Sequence, residues 1–322
     1  MTDFPRPRVV VSKCIEFEYC RYNGSIISSP FVQKLKDYVE FVKVCPEVDI
    51  GLGIPREAVR LVKRDDQILL LNSMTGEDHT SEMTGFCNDF LGGLKDINGF
   101  ILKSRSPSCG IKEVKLYNKI GKVPANSTKS SGLFGNAVLE KFSFLPIEDE
   151  GRLTNLQIRQ HFLTKLYTFT NFEMLEHKSG DLVKFHSQNK YLFMSYNQSK
   201  LKLAGRIVAN HEHKAIKEVF QEYRHALYQI FQTRSRIGSN INVLMHILGY
   251  FSKHLSVNEK AHFLEHLEFY RSKRIPLVVL TSILKSWSLR FDLAYLLQQT
   301  YFDPFPAELM DVTNSGKGRV NN

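Results

Sequence analysis

Over residues 8–150, short β-branched runs alternate with stretches of helical periodicity; beyond about residue 154 the helical periodicity continues alone. Strands interleaved with helices build a layered sheet whose connections cross over it. The expected fold is therefore an α/β N-terminal domain (1–150) with a mainly parallel, Rossmann-like sheet. An all-α C-terminal helical domain (151–310) follows, then a disordered tail (311–322). Strands are expected at 8–13, 41–44 and 97–102, and a hairpin at 58–62 and 67–71. Helices are expected from Pro30, with Phe31, Leu35, Val39 and Val42 on one face; from Thr80 or Ser81 to Leu94, with Met83, Phe86, Phe90 and Leu94 inward; and over 132–139.

Charge divides along the same line. The chain of 322 residues carries a formal net charge of +10. Residues 1–150 hold 20 Lys and Arg against 20 Asp and Glu, while residues 151–322 hold 23 against 13, so the second half carries the whole excess. All five cysteines lie in the first half, and ten of the eleven histidines in the second. No apolar run approaches the roughly 18 residues of a membrane span. The first residues, MTDFPRPRVVV, lack the apolar core and cleavage site of a secretory signal. A cytoplasmic protein is expected, in which cysteines are free thiols, metal ligands or catalysts more often than disulfides.

Cys14, Cys45 and Cys109 each fall at or just past the end of an expected strand. In a parallel sheet the carboxyl ends of the strands share one edge, where ligands bind. Three thiols far apart in sequence therefore converge if the strands pair as expected. Cys87 falls mid-helix and Cys20 in a loop, so neither shares that placement. Soft thiolates suit zinc, copper(I) and iron–sulfur clusters. No C-x2-C knuckle of a structural zinc site is present, and buried thiols serving only as small apolar groups remain an alternative.

The local sequences narrow the choice. SKC (12–14), CRYNG (20–24), VCPEVDIGLGIPRE (44–57) and LKSRSPSCG (102–110) occur in order. Together they resemble the thiouracil desulfidase family over roughly residues 8–150. RLTNLQIRQHF and FHSQNKYLFMSYNQSKLKLAGRIVA resemble the helical domain often fused to it, and the whole arrangement is similar to tRNA 4-thiouridine desulfidases. The resemblance implies that Cys14, Cys45 and Cys109 ligate a 4Fe–4S cluster in which one iron has no protein ligand. It implies further that this iron takes the sulfur of a thiocarbonyl base, that Glu47 acts on water or protons, and that a serine assists, Ser106 before Ser108. Cys20 has no assigned role; as a ligand to the fourth iron it would close the open position.

The second half reads as helices bearing positive charge: 156–172, 185–196, 210–236, 240–253, 257–271 and 276–299, with a turn at 178–181. Ser256 and Glu259 form a capping-box pattern. Lys and Arg interleave with aromatics there, the composition with which proteins contact phosphates and stack bases. Arg21, Lys190, Arg224, Arg234 and Arg236 are the candidate RNA contacts. His262 and His266 have i, i+4 spacing but lack H-E-x-x-H order, so surface histidines are the better reading. No P-loop is present, and no G-x-G-x-x-G follows a strand, which argues against nucleoside triphosphate chemistry. The leading reading is a desulfidase with tRNA as its substrate; desulfidation of free thiouracil bases and a non-catalytic RNA-binding adaptor are the alternatives.

Overall fold

The computed structural model describes residues 4–315. Two compact units divide it: residues up to Thr170 together with those from Thr313, and Asn171–Val312. In chain order the N-terminal unit runs β1 (Arg8–Ser12), α1 (Pro30–Leu35), β2 (Glu40–Val44), α2 (Pro46–Asp49), β3 (Val59–Arg64), β4 (Gln67–Asn72), α3 (Thr80–Gly93), β5 (Gly99–Leu102), β6 (Val114–Tyr117), β7 (Lys129–Ser130), α4 (Leu133–Lys141) and β8 (Ile147–Asp149). Helix α5 (Leu156–Glu173) spans the boundary. Then come α6 (Ser179–Gln188), α7 (Lys190–Tyr196), α8 (Gln198–Ala209), α9 (Ile216–Ile230), α10 (Ile237–Gly249), α11 (Val257–Arg271), α12 (Leu277–Arg290) and α13 (Ala294–Leu297).

The first sheet has the order β2-β1-β5-β8 and is parallel throughout. Val9, Val10 and Val11 of its inner strand β1 are fully buried. A parallel strand covered on both faces is a continuous apolar run rather than an alternating one, which is why 8–13 reads so clearly as a strand. The expected hairpin forms, but in a second sheet of order β4-β3-β6-β7. There β3 pairs antiparallel with β4 and parallel with β6, and β7 closes antiparallel on β6. Asp65 takes φ +51° in the hairpin turn, a left-handed conformation that Asp tolerates. The inward faces of both sheets, α3 and α4 share one apolar core, with Leu61, Leu70, Phe100, Leu102, Phe134 and Val138 at its centre.

The unit boundary falls between Thr170 and Asn171 rather than at Glu150. The early turns of α5 belong to the N-terminal unit: Leu166 lies 3.1 Å from where a Cβ on Gly99 would stand, and Tyr167 Oη donates to Tyr38 O at 3.3 Å. Its last turn belongs to the other unit, where Phe172 stacks on Phe220 and Tyr223 at 5.8 and 5.6 Å. The start of the expected tail is ordered on the N-terminal unit. Arg159 Nη2 donates to Thr313 O at 2.7 Å and Leu156 N to Asn314 Oδ1 at 3.3 Å; residues 316–322 lie outside the described residues.

The second unit is helical, as expected, with the helices cut shorter. The pattern of 185–196 is split by Asn189 into α6 and α7, the basic stretch 210–236 contributes only α9, and 276–299 divides into α12 and α13. Helix α9 buries Val219, Phe220, Tyr223, Ala226, Leu227 and Ile230, the stripe of an amphipathic helix. The capping box at Ser256 and Glu259 forms. Among the described residues, no helix is long and apolar enough to cross a membrane.

Candidate thiol site

Strands β1, β2 and β5 deliver three chain ends to one edge of the parallel sheet. Cys14 follows β1 by two residues, Cys45 follows β2 directly, and the loop after β5 leads through Ser104-Arg105-Ser106-Pro107-Ser108 to Cys109. Pro46 and Glu47 open α2, where a proline is pre-set for the first helical turn. All three thiols line one cavity of about 390 Å³, and each is buried, 6–8% exposed.

Cys20 joins them, against expectation. It is 1% exposed, lines the same cavity, and its carbonyl accepts from the Cys45 thiol at 3.9 Å. The loop from β1 folds back on itself to bring it there: Ile27 N donates to Cys14 O at 2.7 Å and Glu16 N to Ile27 O at 3.0 Å. Spacing gave no sign of that return. Cys87 packs in the apolar core instead.

Hydrogen bonding from Cys14, then burial, pushes the Cys20 thiol up to about 11. The bond to Cys20, then burial, raises Cys45 far above its ordinary value; burial does the same to Cys109, against a lowering bond from Ser12. No disulfide links any of them. The raised thiols of Cys20, Cys45 and Cys109 are therefore protonated at neutral pH unless a cation takes them as thiolates, as a coordinated metal does. A single zinc, with Zn–S near 2.3 Å, would hold its thiolates within about 4 Å of one another. Among the described residues the only trio of potential ligand atoms within 4.8 Å of each other is His262, Glu265 and His266, on the surface of α11. No three of the thiol sulfurs lie within 4.8 Å of one another among the described residues, and buried soft thiols suit a thiophilic group.

Glu47 lines the cavity beside the thiols. Its Oε2 accepts from Arg56 Nε at 3.0 Å and Nη2 at 2.7 Å, and its Oε1 accepts from Ser108 Oγ at 2.9 Å. Arg56 also donates Nη1 to Cys20 O at 3.0 Å and Gly53 O at 2.9 Å, so one guanidinium ties the carboxylate to the Cys20 loop. The two serines differ. Ser108 is fully buried and does not line the cavity. Ser106 does; its Oγ accepts from the amides of Ser108 at 3.2 Å and Cys109 at 3.1 Å. That leaves its own hydroxyl proton for the cavity. The loop is braced from behind by α4. Gly132 N donates to Gly110 O at 2.7 Å and Gly135 N to Ser108 O at 2.9 Å. A Cβ on Gly135 would stand 2.4 Å from Gly110 O, so only glycine permits this approach.

Ser12, Lys103 and Arg56 complete the wall. None was assigned a role from sequence, although Arg56 sits in the quoted GLGIPRE segment. Lys103 Nζ binds Glu150 and Ser104 Oγ at 2.5 and 2.8 Å. Of the candidate RNA contacts, Arg21 reaches the cavity, with Nη1 2.9 Å from Ser25 Oγ and its guanidinium 5.7 Å from the Tyr22 ring. The rest lie in the second unit. Lys190 is exposed over Tyr191, Arg224 is ion-paired with Glu173, Arg234 is half-buried between α9 and α10, and Arg236 is exposed before α10.

Comparison with known proteins bears on both units. The family model described as 2-thiouracil desulfurase matches residues 9–150, and one described as a protein of unknown function (DUF1722) matches 190–306. YbbK of Bacillus subtilis strain 168, an uncharacterised protein, is 35% identical over 109 residues, 32% of this chain and 72% of that protein. YbgA of Escherichia coli K12, also uncharacterised, is 26% identical over 138 residues, 42% of this chain and 81% of that protein. Among solved structures, the 4Fe–4S-dependent thiouracil desulfidase TudS matches at 25% identity and a TM-score of 0.37, covering 46% of this chain and 93% of that one. Over residues 9–150 the N-terminal domain of the chain thus belongs to the 2-thiouracil desulfurase family, and a DUF1722 region follows in its helical unit.

Proposed function

We propose that the chain removes sulfur from 4-thiouridine in tRNA, giving uridine, and that it does so with a 4Fe–4S cluster held by Cys14, Cys45 and Cys109. The observation that carries this reading is the meeting of these three thiols with Glu47 in one cavity of a desulfurase-family domain. The donor set fits such a group: buried, free thiols lining one cavity. When bound, the cluster supplies a Lewis-acidic iron, the one without a protein ligand, for the thiocarbonyl sulfur.

The residues of the chain supply the rest. The net reaction exchanges the thiocarbonyl sulfur for the oxygen of water and releases hydrogen sulfide, with no net oxidation or reduction. Water must lose a proton as it attacks the ring carbon, and Glu47 is the carboxylate beside the cavity able to take it. Arg56 and Ser108 occupy one oxygen each, which fixes the carboxylate's orientation before substrate arrives. Ser106 offers a hydroxyl proton to the substrate from the cavity wall. Cys20 lines the same cavity and has no role in this proposal; as a ligand to the fourth iron it would close the open position.

The tRNA substrate rests on charge. The helical half holds the whole net excess of +10, which a free pyrimidine would not need and a polyanion would. Free thiouracil is the second reading, favoured by the cavity volume of about 390 Å³, ample for a single base, and by walls drawn wholly from the N-terminal unit. The test is to load the full chain with iron and sulfide anaerobically and follow the thiobase absorbance with thiolated tRNA and, separately, with free thiouracil. Loss with tRNA supports the proposal. Loss with the free base alone supports the second reading, and loss with neither favours an RNA-binding adaptor.

A further inference from the structure

A second cavity of about 610 Å³ opens beside the thiol site and shares Ala58, Val59, Arg105 and Pro107 with its wall. Three cations stand in its remaining lining. Arg60 comes from β3, Lys115 from β6 and Lys129 from β7, with Glu113 as the one carboxylate. Strand register explains the cluster. Leu61 pairs with Leu116, which sets Arg60 beside Lys115, and Lys115 pairs with Lys129. Leu61 and Leu116 are buried in the core, so Arg60 and Lys115 share the outward face of the sheet. Tyr117, two residues on, shares it too, with the Arg60 guanidinium 4.5 Å from its ring.

Three like charges in cross-strand neighbourhood destabilise a sheet. Among the described residues, none of the three takes part in an ion pair. Arg60 keeps a buried Nε–H without a partner, although its Nη1 donates to Gly121 O at 2.7 Å. Arg105, which bridges the two cavities, is exposed and adopts φ +57°. The cluster is also not a by-product of a basic domain, because residues 1–150 are electrically balanced. Lys63 and Arg64 of β3 add further positive charge, and the four strands of this sheet carry no Asp or Glu; a cationic trough with a stacked aromatic is built for an anion.

We infer that this trough holds the sugar–phosphate backbone flanking the thiolated base while the base itself enters the thiol cavity through the shared wall at Arg105 and Pro107. The inference rests on the proposed polynucleotide substrate and adds a backbone subsite on the N-terminal unit, where the net charge gave no hint of one. Phosphate contacts by Lys and Arg fix register and orientation of a nucleic acid rather than its sequence.

The test uses the full chain with Lys115→Ala and Lys129→Ala combined, which leaves the contacts of Arg60 in place; both lysines are exposed, and the melting temperature verifies folding. Binding of a short single-stranded RNA is measured by fluorescence anisotropy across a salt series. Turnover is measured with thiolated tRNA and with free thiouracil. Each phosphate contact contributes about 0.7 to the slope of log affinity against log salt for single strands, so the double variant is expected to lose about 1.4 of it. KM for thiolated tRNA should rise several-fold with kcat retained, and turnover of free thiouracil should not change. Where the wild type desulfurates tRNA, an unchanged slope in the double variant overturns the subsite and leaves the substrate reading intact. Where the wild type is inert toward tRNA, a reduced slope in the double variant supports the phosphate subsite and removes the substrate reading.

Discussion

The clamp on Glu47 can be measured apart from any turnover. Arg56 donates two hydrogen bonds to one carboxylate oxygen, at 3.0 and 2.7 Å, and the two side chains are only 6% and 13% exposed. Exposed ion pairs contribute about 0.2–1 kcal/mol. Breaking a buried pair by removing one partner costs about 3–5 kcal/mol, because the other charge is left unpaired. This pair sits at the rim of a cavity and Glu47 keeps its bond from Ser108, which places the expected coupling near 2–3 kcal/mol. A double-mutant cycle with Arg56→Ala, Glu47→Ala and the combined variant, unfolded in urea as the reduced protein without iron, reads that coupling. The only tryptophan, Trp287, lies in α12 of the second unit. Its emission reports that unit, while circular dichroism also follows the N-terminal unit, whose transition is the one expected to move. Additivity within about 0.5 kcal/mol would show that the two side chains do not act together, and the assignment of Arg56 as the positioning group would fall.

Three other changes probe the site and its frame. Cys20→Ala should retain about four irons per chain after anaerobic reconstitution, whereas Cys45→Ala should lose the cluster absorbance; loss of the cluster in Cys20→Ala would make Cys20 a ligand and close the open position. Gly135→Ala places a Cβ 2.4 Å from Gly110 O and should cost about 2 kcal/mol or more in stability together with iron retention; a protein as stable and as well loaded as wild type would show that α4 does not brace the Cys109 loop. Burial raises the Asp149 carboxyl to about 6, above its unfolded value near 3.9. The stability it contributes is therefore complete below about pH 4 and is lost as pH rises through 6, by about 2–3 kcal/mol. Asp149→Asn should flatten urea stability over that window while keeping the acceptor for Arg152 N; an unchanged pH profile would contradict this assignment.

Legibility in the sequence followed the kind of contact. Strand β1 was readable because burial on both faces demands Val9-Val10-Val11, and the placement of Cys14, Cys45 and Cys109 followed from strand ends alone. The split into two sheets was not, since a β3–β4 hairpin has the same pattern whether it joins the first sheet or a second. Helix α1 stops at Leu35, and Val39 and Val42, expected on its apolar face, fall before and within β2; an i, i+4 coincidence across a turn is indistinguishable from a helix face. Cys20 and Arg56 reach the site by loops that fold back, a path fixed by backbone hydrogen bonds that periodicity does not encode. The inward face of α3 was half right: Met83 is buried, but Cys87 and Leu91 are buried with it, while Phe86 and Phe90 stack on each other at the edge of the core. Summed charge concealed the Arg60–Lys115–Lys129 cluster, because strand register, not composition, assembles it.

The account stands most directly on the nucleoside composition of thiolated tRNA after incubation with the cluster-loaded full chain, measured by digestion and mass spectrometry. It predicts that 4-thiouridine is replaced one for one by uridine, that sulfide is released in equal amount, and that the Glu47→Ala variant retains its iron but leaves 4-thiouridine in place. Intact 4-thiouridine after incubation with wild-type protein that holds its cluster would contradict it.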